Sequence, residues 1–236
     1  TLCRRESPSV IPSKTSQLDP YAIWQHNNRL TPRLSAVLKE AAQRLEDGPL
    51  FTVLVDTRDC TTVQVETLAA SLDAQFYPRW EVHFVGPVGP TRADPRFHYH
   101  ASTEIATFVG SLNAVLEKSK EGYVTLLPGH SQLSHDALLE IAERFAAQPG
   151  LELVYTDEDR MNEAGIRSNP EFKPDWSPTL ALSGLFPGQL SMIRRDSASQ
   201  LGGFREVYSS ILWQELLLRL SDQLTSNQVA HVSQIC

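Results

Sequence analysis

An α/β domain with a mostly parallel sheet is what this 236-residue sequence predicts, and three observations carry that reading. From about residue 50 to residue 156, short apolar runs alternate with amphipathic stretches of ten or more residues, the pattern of strands joined by crossover helices. The first of those runs, residues 50–55, is almost continuously apolar, as a strand covered on both faces requires. Hydrophobic residues make up 41% of the chain and charged residues 21%, so there is enough apolar material for one real core.

The elements follow in order. Residues 1–20 are polar and carry Pro8, Pro12 and Pro20 among Ser and Thr, the composition of a linker. Residues 21–47 turn helical, with Leu34, Val37, Leu38, Ala41 and Leu45 at helical spacing and Thr31 and Pro32 as a cap and first-turn pair. Gly48 and Pro49 stop this N-terminal helical extension, and the domain proper runs over residues 50–236. Strands are predicted at 50–55, 80–85, 97–100, 123–127 and 152–156, with helices at 63–75, 107–119 and 135–148 between them. Residues 169–178 hold three prolines and cannot form a helix. A strand-like run at 189–194, a turn at Gly202 and Gly203, and an amphipathic helix at 213–224 complete the pattern. In such sheets ligands sit at the carboxyl ends of the strands, so residues just after Val55, Val85, Leu127 and Thr156 are the candidates for chemistry.

Charge and cysteine content exclude several classes. A formal net charge of −7 argues against a nucleic-acid binder, and no nucleic-acid partner is expected. Cys3, Cys60 and Cys236 are scattered and odd in number, which suggests neither a disulfide framework nor a zinc cluster and favours a reducing compartment. No apolar run approaches the roughly 18 residues of a membrane span. A chain that starts at Thr1 and ends on a strand-like run at Cys236 reads as a piece of something longer. No Gly-x-Gly-x-x-Gly follows the first strand, where Asp56, Thr57, Arg58, Asp59 and Cys60 stand, so a dinucleotide-binding domain is disfavoured.

One stretch makes the chain recognisable. Tyr155, Thr156, Asp157, Glu158, Asp159 and Arg160, then Gly165, Arg167 and Pro170, then the run from Phe172 through Lys173, Pro174, Asp175, Trp176 and Ser177 to Pro178, closely resembles a signature of family 2 glycosyltransferases. The subgroup resembled builds bacterial surface polysaccharides and includes rhamnosyltransferase-like proteins. The segments 201–206, 216–220 and 75–81 continue the pattern, as do Tyr21, Trp24 and Leu30 in the leading helix. The resemblance implies a GT-A fold, a nucleotide-sugar donor and inverting transfer to a glycan acceptor.

That chemistry has three needs, and the residues that should meet them are largely missing. A carboxylate should hold the nucleotide after the second strand, but the loop there is Gly86, Pro87, Val88, Gly89 and Pro90; Asp56 and Asp59 after the first strand either substitute in part or cap a loop. An Asp-x-Asp motif should hold a divalent cation against the diphosphate after the strand at 123–127. There stand Pro128, Gly129, His130, Ser131 and Gln132, so that only His130 could be a metal ligand. Imidazole suits a transition metal better than magnesium. A general base should stand just before the last helix; Trp213 occupies that position and Glu215, the one candidate base, lies two residues on, about 200° around a helix. Asp157, Glu158 and Asp159 are either part of the donor or acceptor pocket or an ion-pair loop with Arg160, Arg167 and Lys173. Trp176 beside Asp175 either stacks a sugar or anchors its proline-rich loop, and Arg194 or Arg195 is the cation a metal-free diphosphate site could use.

Two functions are therefore expected. One is a domain with reduced or no catalysis, a scaffold or a binder of acceptor or partner among other domains of a larger glycosyltransferase protein, with no cofactor. The other is an active transferase of hexosyl or rhamnosyl groups with a rebuilt site, taking Mn2+ or Mg2+ only if active. Either implies a cytoplasmic location, with peripheral association with the inner face of the membrane as an option.

Overall fold

The computed structural model of the chain describes residues 19–119, 121–162, 164–181 and 187–236, so the linker expected over residues 1–20 falls, except for its last two residues, outside the described residues. The chain divides into two compact units, residues 1–31 and 32–236. In the first, α1 (Pro20–Asn27) is capped by the Asp19 carboxylate on the Tyr21 N–H, and Asn28 closes it by donating to the Trp24 carbonyl from both backbone and side chain. The helical stretch expected over 21–47 is two helices, the second beginning at the Pro32 expected in its first turn. Pro32 is the reason: it disfavours helical geometry at the residue before it and suits the first turn of α2 (Pro32–Arg44), which opens the second unit. Of the predicted apolar face of α2, Leu38, Ala41 and Leu45 pack on the core with Ala42, while Val37 remains exposed.

The second unit alternates as expected. Its elements are β1 (Phe51–Asp56), α3 (Thr62–Asp73), β2 (Trp80–Gly86), β3 (Phe97–Ala101), α4 (Ile105–Lys118), β4 (Tyr123–Pro128), α5 (Ala137–Ala147) and β5 (Leu153–Met161). Then come β6 (Arg167–Glu171), the short α6 (Pro178–Ala181), β7 (Ser191–Arg194), α7 (Arg195–Gln200), α8 (Leu212–Ser221) and β8 (Val229–Ile235). The strands form one eight-stranded mixed sheet in the order β3-β2-β1-β4-β7-β5-β6, with β8 alongside β5. Strands β3, β2, β1 and β4 are mutually parallel, β7 runs against both β4 and β5, and β8 is parallel to β5. Sequence reasoning did not see β6 or α7. Strand β6 contains Pro170, which edge position tolerates, and α7 has only six residues.

Both faces of the sheet are covered, and each face has its own core. Phe51, Val53 and Val55 point to one side and pack with Leu68 and Leu72 of α3 and Leu138 and Ile141 of α5. Leu54 points to the other and packs with Phe108 and Leu112 of α4 and Leu216 and Leu220 of α8. The continuous apolar character of β1 follows from this double coverage. Parallel pairing sets Asp56 opposite Val85 and Pro128, so β1, β2 and β4 end together, and the loops that follow them share one edge.

One glycine fixes how β4 enters. Gly122 has φ +107°, and a Cβ there would sit 2.1 Å from the carbonyl oxygen of Leu50, the oxygen that accepts the Tyr123 N–H and so begins the β1–β4 ladder. Replacing Gly122→Ala is expected to destabilise the domain by about 3 kcal/mol through backbone strain and overpacking, read as a lower urea midpoint with unchanged slope; an unchanged midpoint would show that the ladder starts elsewhere.

Candidate functional site

The shared edge of β1, β2 and β4 forms a crevice, and its centre is an internal ion pair. Asp56, at the end of β1, turns the chain by accepting the Arg58 N–H at 3.0 Å. The Arg58 side chain folds back onto the same carboxylate, with Nε 3.0 Å from Oδ1 and Nη2 2.7 Å from Oδ2. Its Nη2 also donates to the Ser209 carbonyl at 2.8 Å, and the guanidinium lies 4.1 Å from the Phe108 ring centroid. The hydrogen bonds to Asp56 push the Arg58 pKa further up against the effect of burial, helped by the charges of Asp56 and Asp59. The β1 and β4 loops meet just beside this pair, where the Gly129 N–H donates to the Asp56 carbonyl at 2.7 Å.

These residues do not fit a resident Mn2+ or Mg2+. The turn after β4 offers no carboxylate, and His130 in that turn is exposed. Asp56, opposite Pro128 in register, already has both oxygens held by Arg58, and a cation could reach them only by displacing a like charge. The cavity at this point, lined by Asp56, Arg58, Pro128, Gln189, Ser210 and Trp213 among others, holds about 240 Å³. Ligand pockets of drug-sized molecules run from roughly 300 to 1,000 Å³, and with Arg58 in place this cavity falls below that range. A larger hollow of about 520 Å³ lies along α3 and is lined by Val63, Ala70, Leu133 and His135, with Glu66 as its single acidic side chain.

The base position is also filled by structure. Trp213, where the resemblance puts the base, is buried in the second core and donates its Nε1–H to Ser191 Oγ at 2.9 Å. Glu215, the candidate base, is buried as well and held by Arg219 (2.7 Å) and Arg205 (3.3 Å). Arg219 in turn donates to the Leu201 and Gly203 carbonyls, tying α8 to the turn after α7.

The three adjacent carboxylates each have a separate cation or donor. Asp157, almost fully buried, accepts from His231 Nε2 and the Lys173 N–H, both at 2.8 Å. Glu158 pairs with Lys173 Nζ at 3.0 Å and accepts the Gln189 N–H, and Asp159 pairs with Arg167 at 2.6 Å. Asp175 is exposed and 3.8 Å from His231, while Trp176 is half-buried against the second core. Arg194 stands elsewhere: it pairs with Tyr123 in register, at the amino end of β4, where it binds Glu152 and the Pro149 and Leu151 carbonyls. Arg195 is held there too, by the Leu116 and Glu117 carbonyls, because β7 runs antiparallel and carries its end away from the crevice.

Sequence reasoning singled out Asp56 but missed Arg58 as its partner, and it missed His231, 74 residues from Asp157. It also missed a cluster on β2 and β3. Among the described residues, Glu81, His83 and His98 are the group of three side chains that could hold a metal ion, their ligand atoms all within 4.8 Å of one another. Alternation of histidines at 83, 98 and 100 in two predicted strands was the available signal.

No family model matches the chain. It is 29% identical to the O-antigen biosynthesis protein RfbC of Myxococcus xanthus over 236 aligned residues, covering 95% of this chain and 18% of that one. The chain spans under a quarter of the length of the curated relatives it matches. Among solved structures it is similar to TarS 1–349 of S. aureus, with TM-score 0.56 and 16% identity over 78% of this chain and 58% of that one. It is also similar to the mannosyltransferase PcManGT of Pyrobaculum calidifontis in complex with GDP-Man and Mn2+, with TM-score 0.52 and 16% identity over 85% and 67% of the two chains. TarS 1–349 is also known in complex with UDP-GlcNAc. The fold is that of the GT-A glycosyltransferases. No helix among the described residues is long and apolar enough to cross a membrane.

Removing one partner of a buried charge pair costs about 3–5 kcal/mol. Glu215→Ala is expected to lie near the low end of that range in urea unfolding, because Arg219 keeps its two carbonyl acceptors. A change under about 0.5 kcal/mol, the scatter of ordinary surface substitutions, would remove Glu215 from the structural framework.

Proposed function

We propose that this domain is a glycosyltransferase-like module of surface-polysaccharide assembly, acting as a scaffold or acceptor-binding unit within a longer protein, and that its own crevice does not turn over sugar nucleotides. The observation that carries this is the closed Asp56–Arg58 fork, with Arg58 anchored on Ser209 and Phe108 where a diphosphate and its metal would have to enter. A departing nucleoside diphosphate develops negative charge that a metal ordinarily stabilises by several kcal/mol, and each 1.4 kcal/mol is about tenfold in rate. The turn after β4 supplies no carboxylate to hold such a metal, and Trp213 supplies no base. Likeness to a much longer O-antigen biosynthesis protein supports the modular reading, in which neighbouring domains carry the transfer. A cytoplasmic site of action at the inner face of the membrane accords with that role.

A second reading has one specific support. Arg58 is a cation inside the crevice, so a diphosphate could replace Asp56 as its partner and be held without a metal. The binding partners would then be a nucleotide sugar and a glycan acceptor. Calorimetry with UDP-GlcNAc and GDP-mannose, with Mn2+ and again with chelator, separates the two. The first reading expects no heat in either condition from folded protein. Micromolar binding that persists in chelator and falls at least tenfold in Arg58→Ala would replace it with the second.

A further inference from the structure

We infer that Glu81, His83 and His98 form a binding site for a divalent transition metal of the Zn2+ class, separate from the crevice and built to staple the edge strand β3 to β2. The site follows from strand register. Parallel pairing puts His83 opposite His98, and alternation along β2 puts Glu81 on the same face as His83. His100, two residues beyond His98, joins that face.

Three geometric facts point to a metal. The Nε2 atom of His83 is buried and has no hydrogen-bond partner. It faces the Glu81 carboxylate at 3.5 Å, too far for a hydrogen bond. Two ligands each about 2.1 Å from a tetrahedral zinc are about 3.4 Å apart, so that spacing fits an ion between them. The His98 ring lies 4.5 Å from the His83 ring, centroid to centroid, and the three donor atoms fall within 4.8 Å of one another. His98 closes the set by a side-chain adjustment of about an ångström toward the same tetrahedral spacing, which its half-buried place on an edge strand permits.

The surroundings supply the second layer of such a site. His83 Nδ1 is 3.0 Å from His100 Nε2; with Nδ1–H as donor, the Nε2 lone pair is fixed toward the carboxylate. Glu81 is steadied by Thr52, whose hydroxyl donates to Oε1 at 3.1 Å. Two imidazoles and one carboxylate suit zinc and its neighbours, whereas Mg2+ and Ca2+ prefer oxygen donors. Strand β3 pairs with β2 alone, so a metal shared by the two strands adds a bond where the sheet has fewest.

The test uses the whole chain stripped by chelator and titrated with ZnCl2. The expected result is one equivalent bound, retained through desalting and measured by elemental analysis, together with a raised melting temperature. His98→Ala is expected to weaken binding roughly tenfold or more and to abolish the thermal shift, while His130→Ala leaves both unchanged. Should His98→Ala fail to fold, Co2+ added to the wild-type chain reports independently, with tetrahedral ligand-field bands expected. The proposal is overturned by absence of uptake, by equal uptake in folded His98→Ala, by loss of uptake in His130→Ala, or by a six-coordinate cobalt spectrum. None of these results bears on whether the crevice binds sugar nucleotides.

Discussion

A carboxylate at the end of a central parallel strand loses hydration and gains from a positive partner, and the charge balance of the crevice follows from which one Asp56 has found. Strand β1 is flanked by β2 and β4 and covered on both faces, so its last residue projects from the most buried strand toward the crevice. The partner is Arg58, two residues along the same loop. A fork–fork pair of this kind is geometrically specific and stronger than a point-charge contact. Because Ser209 and Phe108 hold the same guanidinium, the pair also bridges the β1 loop to the segment before α8 and to α4. The crevice is thus closed by its own charges.

The same balance extends along the edge. Asp157, Glu158, Asp159 and Glu215 could each have been a liability in the folded state, since adjacent carboxylates repel and buried ones lose hydration. Each instead meets a defined partner: His231, Lys173, Arg167 and Arg219. The Tyr155 ring stacks on His231 at 4.7 Å, and its hydroxyl donates to the Pro174 carbonyl, so the proline-rich segment is bound to β5 by a neutral hydrogen bond as well as by Lys173. A site poised for a charged ligand usually keeps unbalanced charge in reserve. This edge keeps little.

What could be read from the sequence divides along the same physical line. Periodicity reports burial, so the strands at 50–55, 80–85 and 123–127 were legible. Interactions that depend on direction were not. Nothing in the order Asp56-Thr57-Arg58 says that the arginine turns back on the aspartate rather than toward solvent. The run at 189–194 was visible as a strand, yet its antiparallel sense was not, and that sense alone carries Arg194 to the far end of the sheet. The histidines of β2 and β3 could be seen to alternate, but only the register His83↔His98 brings them together.

That a GT-A-like scaffold holds an edge of internally paired charges has a thermodynamic rationale. The two cores draw on β1, α3 and α5 on one side and on α4 and α8 on the other; Trp213 belongs to the second core as well as to the crevice, while Asp56 and Arg58 belong to neither core. Functional carboxylates, in contrast, are held at some cost in stability, because a site prepared for a ligand must leave charge and strain unrelieved until the ligand arrives. Pairing Asp56 with Arg58 relieves that cost at the edge. Fold and chemistry in this architecture are therefore separable, and resemblance in the first is weak warrant for the second. The edge has to be read residue by residue, and here its residues satisfy one another.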